Sequence, residues 1–306
     1  QMWYNSTDKV IKGFTSNAAG AWASGGALGT GRERGAGNGT QTSALAYGGV
    51  TGPGAPNRTG KTESYNGTSF SEVNDLNTAR YDISGGAGTD STQALCIGGQ
   101  TGSGRQVITE SWNGSSWTEV GDLNISKGAG QGTGTYTSAI ATGGDTTPTA
   151  DAETWNGSSW TEVSDMNRSR VNAGMSGTSN TAALAFGGLD PSPAAIHGET
   201  ESWNGSAWTE LNDLNQARDS LSGSGTYTSA IAAGGDNPAS TKLAVTESWN
   251  GTSWTEVADL STTRSRPMNN AGLDATQALV SGGAPHITTT EELNLPATST
   301  VTFTVS

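Results

Sequence analysis

Cysteine is nearly absent from this 306-residue chain. The single copy, Cys96, sits in the apolar run Ala94-Leu95-Cys96-Ile97, which reads as a buried, inert thiol, and it excludes any disulfide within the chain. Histidine is almost as scarce. Only His197 and His286 occur, both in expected loops, and no His/Cys/carboxylate grouping has metal-ligand spacing, so no enzyme is expected. Basic residues are few and scattered: 15 against 28 acidic ones give a net charge of −13, which argues against nucleic acid as a partner. No run of 18 apolar residues exists, so membrane insertion by a helix is not expected. Gln1, without an initiator methionine, suggests a processed or excerpted chain.

What the chain does have is repetition. Trp112-Asn113-Gly114-Ser115-Ser116-Trp117-Thr118-Glu119-Val120 returns in near copy at Trp155 to Val163, Trp203 to Leu211 and Trp249 to Val257, and in softened form at Tyr65 to Val73. Each copy reads as two short strands joined at Asn-Gly, whose access to positive φ favours tight hairpins. The same turn chemistry explains the Asn-Gly-Ser/Thr sequons at Asn66, Asn113, Asn156, Asn204 and Asn250 better than glycosylation does. A second mark keeps step: Gly48-Gly49, Gly98-Gly99, Gly143-Gly144, Gly187-Gly188, Gly234-Gly235 and Gly282-Gly283 recur at intervals of 44 to 50 residues. That period suits four-stranded propeller blades, and six pairs give six blades. With hydrophobic residues at only 32%, the ten tryptophans are the expected core between blades.

The ends of the chain share a blade. Trp22 to Leu28 has the spacing of a fourth strand without its first three, and those three appear as Arg264 to Ala271, Gln277 to Gly283 and Thr288 to Asn294. The ring closes when the N-terminal strand joins the C-terminal ones, which removes open sheet edges. Residues 1–19 form an extra hairpin and linker, with strands Met2-Trp3-Tyr4 and Lys9-Val10-Ile11-Lys12; residues 20–294 form the propeller; residues 295–306 hold a last alternating strand. That last strand pairs either with the terminal hairpin or in the closing position of the ring.

A basic residue opening each repeat, Gly-Gly ending the second strand, and Glu before an aromatic with Trp a few residues later together resemble the kelch repeat. The resemblance implies an all-β fold, a six-bladed β-propeller of four-stranded kelch-like blades. Kelch-like propellers serve as binding platforms and adaptors and, in the galactose oxidase group, as enzymes, so the fold leaves function open. The wording of the Trp-Asn-Gly hairpin, with Gly-Thr-Tyr-Thr-Ser-Ala and the opening Met-Trp-Tyr-Asn-Ser-Thr-Asp-Lys-Val-Ile-Lys, is similar to virion and tail-fibre proteins of bacteriophages, particularly marine ones. It implies a virion component whose partners are other virion proteins or a host-surface glycan, in a homo-oligomer or larger assembly. A secreted lectin-like propeller is the rival, and a carbohydrate-active enzyme the third reading.

In register, each repeat carries a basic residue (Arg32, Arg80, Lys127, Arg170, Arg218, Arg264) and an acidic one ahead of the third-strand aromatic (Glu63, Glu110, Glu153, Glu201, Glu247, Glu291). These read either as a charged ring about the channel or as a structural brace within or between blades; the brace is preferred, because buried charges need partners and repetition favours scaffold. Ligand binding is expected instead in the loops between second and third strands, which differ in every blade and hold seven of the nine prolines. Candidates there are Asn57, Arg58, Arg105, Asp145, Asp190, His197, Asp236 and His286. No cofactor is expected, with Ca²⁺ the one candidate, at Asp145, Asp236 or Asp190 in the loops after Gly-Gly.

Overall fold

The computed structural model describes residues 2–5, 10–15, 20–53, 55–144, 150–191, 194–268, 271–295 and 299–303. It is a six-bladed β-propeller of four-stranded antiparallel sheets. Blade 1 comprises Ala36–Thr40, Ser43–Tyr47, Thr62–Tyr65 and Phe70–Val73; blade 2, Gly86–Asp90, Gln93–Ile97, Thr109–Trp112 and Trp117–Glu119. Blade 3 comprises Gln131–Thr135, Ser138–Thr142, Ala152–Trp155 and Trp160–Val163; blade 4, Gly174–Ser179, Ala182–Phe186, Thr200–Trp203 and Trp208–Glu210. Blade 5 comprises Ser222–Gly225, Ala230–Ala233, Thr246–Trp249 and Trp254–Glu256. Blade 6 takes Ala271–Asp274, Gln277–Ser281 and Thr290–Asn294 from the C-terminal part and Ala21–Gly25 from the N-terminal part.

Two boundaries differ from expectation. Arg264 to Ala271 is not the first strand of blade 6, which begins at Ala271, and the strand at Trp22 ends at Gly25, with Leu28 buried in the link that follows. The spacing that suggested an earlier start belongs to the link, in which Arg264 holds Glu291 and Ser265 bridges Ala284. Met2–Asn5 and Val10–Thr15 pair as the terminal hairpin, and Ser299–Phe303 adds to its second strand, making a three-stranded sheet separate from the blades. Of the expected turn between those strands, Ser6 to Asp8 lie outside the described residues.

The inner strands touch their neighbours in a closed circuit, that of blade 6 meeting that of blade 1. Their backbones approach closely enough to demand glycine: a Cβ on Gly85 would stand 2.3 Å from the Gly132 nitrogen of the next blade. The Gly-Gly pairs make a second circuit. Both glycines of each pair have positive φ, and the second donates its N–H to the carbonyl of the next blade's basic residue: Gly49 to Arg80 at 2.7 Å, Gly99 to Lys127 at 2.7 Å, and finally Gly283 to Arg32 at 2.8 Å. This physical link is why the two sequence marks stay in phase.

Tryptophan joins the blades from outside. The first Trp of each hairpin, such as Trp112, is fully buried and bonds the turn between first and second strands of its own blade, Nε1 to Ser91 O at 3.0 Å. The second Trp reaches back one blade: Trp117 Nε1 donates to Thr62 Oγ1, Trp160 to Thr109 and Trp254 to Thr200, each at 3.0 Å. Trp22 does the same for blade 6, donating to Thr246 Oγ1 at 3.1 Å. Blade 1 has Tyr65 and Phe70 instead, and its seam with blade 6 is held by Tyr65 Oη donating to Glu292 Oε1 at 2.5 Å and by Gln41 Nε2 donating to Ala278 O at 2.9 Å. At the hairpin turns the Asn is not the residue with positive φ. Gly114 is (φ 91), while Asn113 Oδ1 accepts the N–H groups of Ser115 and Ser116 at 3.0 and 2.9 Å.

Candidate functional site

The repeated charges lie inside the blades. Arg32–Glu63 (2.8 Å), Arg80–Glu110 (3.0 Å), Lys127–Glu153 (3.9 Å), Arg170–Glu201 (2.5 Å), Arg218–Glu247 and Arg264–Glu291 (2.5 Å) each join the link entering a blade to that blade's third strand. All twelve side chains are buried, so they do not line the channel as a charged ring. The carboxylate also fixes the link itself: Glu110 Oε2 accepts from Asn77 N and Nδ2 at 2.8 and 2.9 Å, and Asn124, Asn167 and Asn215 repeat this with Glu153, Glu201 and Glu247. Desolvation lowers the pKa values of Arg32, Arg170, Arg218, Arg264 and Lys127, against the opposing pull of their glutamates.

Two residues beyond each basic residue the chain turns into the channel, and here the geometry becomes individual. Arg34, Asp82, Ala129, Asn172, Ser220 and Arg266 occupy equivalent positions, one per blade, all with φ between 47° and 62°. Their backbones form a belt: Ala129 N donates to Asp82 O, Asn172 N to Ala129 O, Ser220 N to Asn172 O, Arg266 N to Ser220 O and Arg34 N to Arg266 O, at 2.7 to 3.2 Å. At the sixth junction side chains take over. Arg34 grips Asp82 with two bonds, Nε to Oδ1 at 2.5 Å and Nη2 to Oδ2, while its guanidinium carbon stands 4.8 Å over the Tyr81 ring. Burial opposes the charge on Arg34, but Asp82 outweighs it and raises the pKa.

All six belt residues line one cavity of about 80 Å³, open at its mouth, room for part of a ligand rather than the whole of one. Met175 lines both this cavity and a second one at the far end of the inner strands. The variable loops start beside the belt, because Glu33 bridges Val50, Tyr81 bridges Gln100, Val171 bridges Leu189, Asp219 bridges Asp236 and Ser265 bridges Ala284. Loops and mouth therefore share one face.

The loop candidates fall into separate groups on that face. Asn57 Nδ2 bonds Pro53 O at 2.8 Å within its own loop, and Arg58 reaches toward Gly102 of the blade 2 loop, whose hairpin carries exposed Arg105. Asp190 and His197 do come together, around Arg168: its Nη1 is 2.9 Å from His197 Nε2 and 3.8 Å from Asp190 Oδ2, and Glu199 Oε2 is 3.3 Å from His197 Nδ1. His286 faces Glu33 at 3.8 Å. Asp236 lies beside Asp219, whose carboxyl accepts from Ser220 Oγ at 3.1 Å and is pushed upward in pKa by burial. Asp145 lies outside the described residues. Among the described residues no three His, Cys, Asp or Glu are grouped so that they could hold a metal ion. Cys96 is buried beside Arg80, its thiol pushed up to about 12 by desolvation.

Sequence reasoning missed the belt. Its signal was present as one position of constant register but changing identity, hidden because loop length rather than fixed-length variation drew attention. No family model and no curated protein matches the chain. Among solved structures, 376 chains resemble it, so the likeness speaks for architecture and not for activity. One, described as the structure of YjhT, aligns with a TM-score of 0.70 over 91% of this chain and 99% of its own, at 11% identity. What this chain shares with YjhT is the six-bladed β-propeller fold.

Proposed function

We propose that this chain is a non-enzymatic recognition propeller of a phage particle, a fibre, appendage or capsid decoration that contacts a host-surface glycan or protein through its loop face. One observation carries the reading: four seams share the same Trp–Thr bond and five braces the same Arg–Glu pair, while belt side chains and loop lengths differ from blade to blade around one mouth. A rigid ring with individual loops on one face is a recognition surface. The kelch-like register and the phage-like hairpin wording support the assignment. So does the terminal three-stranded sheet, which joins both chain ends outside the blades and suits attachment. Support for binding over catalysis comes from Cys96, which is buried with its thiol pushed up to about 12 and so is no nucleophile.

The test is glycan-array and host-cell adsorption of the full chain, together with proteomics of purified particles. Adsorption in particles, lost when the loops from Val50 to Lys61 and Leu189 to Gly198 are shortened, is the expected result. Empty arrays, no adsorption and absence from particles would sink the proposal, whereas glycan binding without particle association would favour the lectin. Removing residues 1–19 and 295–306 is expected to abolish assembly while leaving the ring intact.

A further inference from the structure

We infer that the belt mouth is an anion subsite, in which Arg266 takes the carboxylate or sulfate of an acidic sugar and Asn172 takes a neighbouring hydroxyl. The inference rests on the recognition reading above and names the ligand class for its central cavity. Of the two belt arginines, Arg34 is committed to Asp82, which also accepts from Gln100 Nε2 at 3.3 Å. Arg266 differs. Its side chain is exposed into the cavity and, among the described residues, has no hydrogen bond, ion pair or ring contact; the Asp219 carboxyl feels its charge only at longer range. The other basic links of blade 6 are satisfied: Arg264, two residues earlier, holds Glu291 and two carbonyls.

An unpaired guanidinium at the end of a concave site presents a planar fork that fits a carboxylate or sulfate edge and has no neutral equivalent. Between Arg266 and Asn172 on the belt stands Ser220, a small residue whose hydroxyl is turned to Asp219, so the wall between the two is low. The Asn172 amide is likewise without a protein partner among the described residues, and it can both donate and accept, as a sugar hydroxyl requires. Backbone N–H to carbonyl bonds close five of the six belt junctions, which leaves selection mainly to the side chains.

The net charge of −13 does not forbid an anion here. Exposed acids cluster on the fourth strands, and three strand spacings of about 4.8 Å put these about 14 Å from the inner strands. At physiological salt the screening length is about 8 Å, so their repulsion at the mouth is weak beside a direct contact.

Calorimetric titration of the full chain with glucuronic acid, glucose 6-sulfate and glucose tests this. At least one of the two acids is expected to bind, glucose at least about tenfold more weakly, and Arg266→Gln to weaken the acid by about 10- to 100-fold, the range of a charge-assisted hydrogen bond. The melting temperature of this variant should stay close to wild type, since the belt bonds of Arg266 are made by its backbone, which the substitution keeps; Arg266→Lys, which keeps the charge but not the fork, should bind the acid with intermediate strength. Carboxylate against sulfate preference identifies the group. Equal binding of glucose and both acids, or equal acid binding by wild type and Arg266→Gln, overturns the inference and leaves the recognition reading standing. Binding of neutral array glycans but of neither acid does the same, and no glycan binding at all removes both.

Discussion

Lys127 is the odd member of the six braces, and replacing it tests whether the brace is understood. In blade 4, Arg170 donates Nη1 to Gly187 O at 3.0 Å and to Glu199 O at 2.8 Å, and Nη2 to Glu201 at 2.5 Å. Arg264 repeats the set with Gly282 O, Thr289 O and Glu291. Lys127 is as deeply buried, at 1% exposure, yet its Nζ makes no hydrogen bond and stands 3.9 Å from Glu153 Oε1. The acceptor is already in place, because Asn124 and Ile125 hold the Glu153 carboxylate. Lys127→Arg should therefore add charged hydrogen bonds worth about 1.5–3 kcal/mol each. Part is offset by fitting a bulkier head into a packed site, at about 1–3 kcal/mol. A net gain of about 1–3 kcal/mol remains. With an unfolding entropy of about 2.1 cal/mol/K per residue, 306 residues convert this to a Tm increase of about 2–5 °C by scanning calorimetry. Arg170→Lys should lose a similar amount.

The same variant has a pH signature. Burial lowers the Lys127 pKa below 10.5, so between the lowered value and 10.5 the unfolded chain binds more protons and stability from this group rises with pH. The penalty is full below the lowered value and fades above it. The advantage of Lys127→Arg should accordingly shrink as pH climbs toward 10.5. An unchanged or lowered Tm at neutral pH would refute the reasoning, since it would mean that the Arg hydrogen bonds of the other blades contribute nothing.

Asp219, raised above 3.8 by burial, keeps its proton to higher pH when folded than when unfolded, so its contribution falls as pH rises from 3.8 through the raised value; across that window Asp219→Asn should gain progressively in melting temperature over wild type. Trp160→Phe removes the buried bond to Thr109 and part of a packed ring, and urea titration should show a loss of about 2–3 kcal/mol. Deleting residues 1–25 removes the fourth strand of blade 6 with Trp22 and should abolish cooperative melting by circular dichroism, whereas deleting 1–19 should not.

The ring was legible because its periodic marks are bonded to each other. Gly-Gly and the basic residue stay in phase because one N–H meets the other's carbonyl, and the six-residue step from Trp22 to Leu28 could be matched because both do blade-closing work. The partner of Ser299–Phe303 was not legible, since alternation announces a strand without saying which free edge it joins; pairing with Val10–Thr15 is a tertiary choice. The belt escaped for a related reason. Its residues share a backbone conformation that is invisible in identity, because Arg, Asp, Ala, Asn and Ser all adopt the positive φ that sequence reading assigns to glycine.

Charge is repeated along the fourth strands and varied at the belt. The fourth strands are open edges able to pair with other strands. Exposed Glu72, Glu119, Glu162, Glu210 and Glu256 lie on them, and exposed Asp75, Asp122, Asp165, Asp213 and Asp259 follow three residues later, an acidic wall renewed in five blades. The strand from Ala21 to Gly25 carries no acid, being the one drawn from the other end of the chain. Inside, the acids of the third strands are neutralised by the basic residues of the links, which leaves the buried frame without net charge per blade. At the belt, equivalent positions carry plus, minus and no charge in turn. The ring can change Ala129, Asn172, Ser220 and Arg266 without altering the bonds that close the belt, because these positions are tied through the backbone, whereas Arg34 and Asp82 close the sixth junction with their side chains.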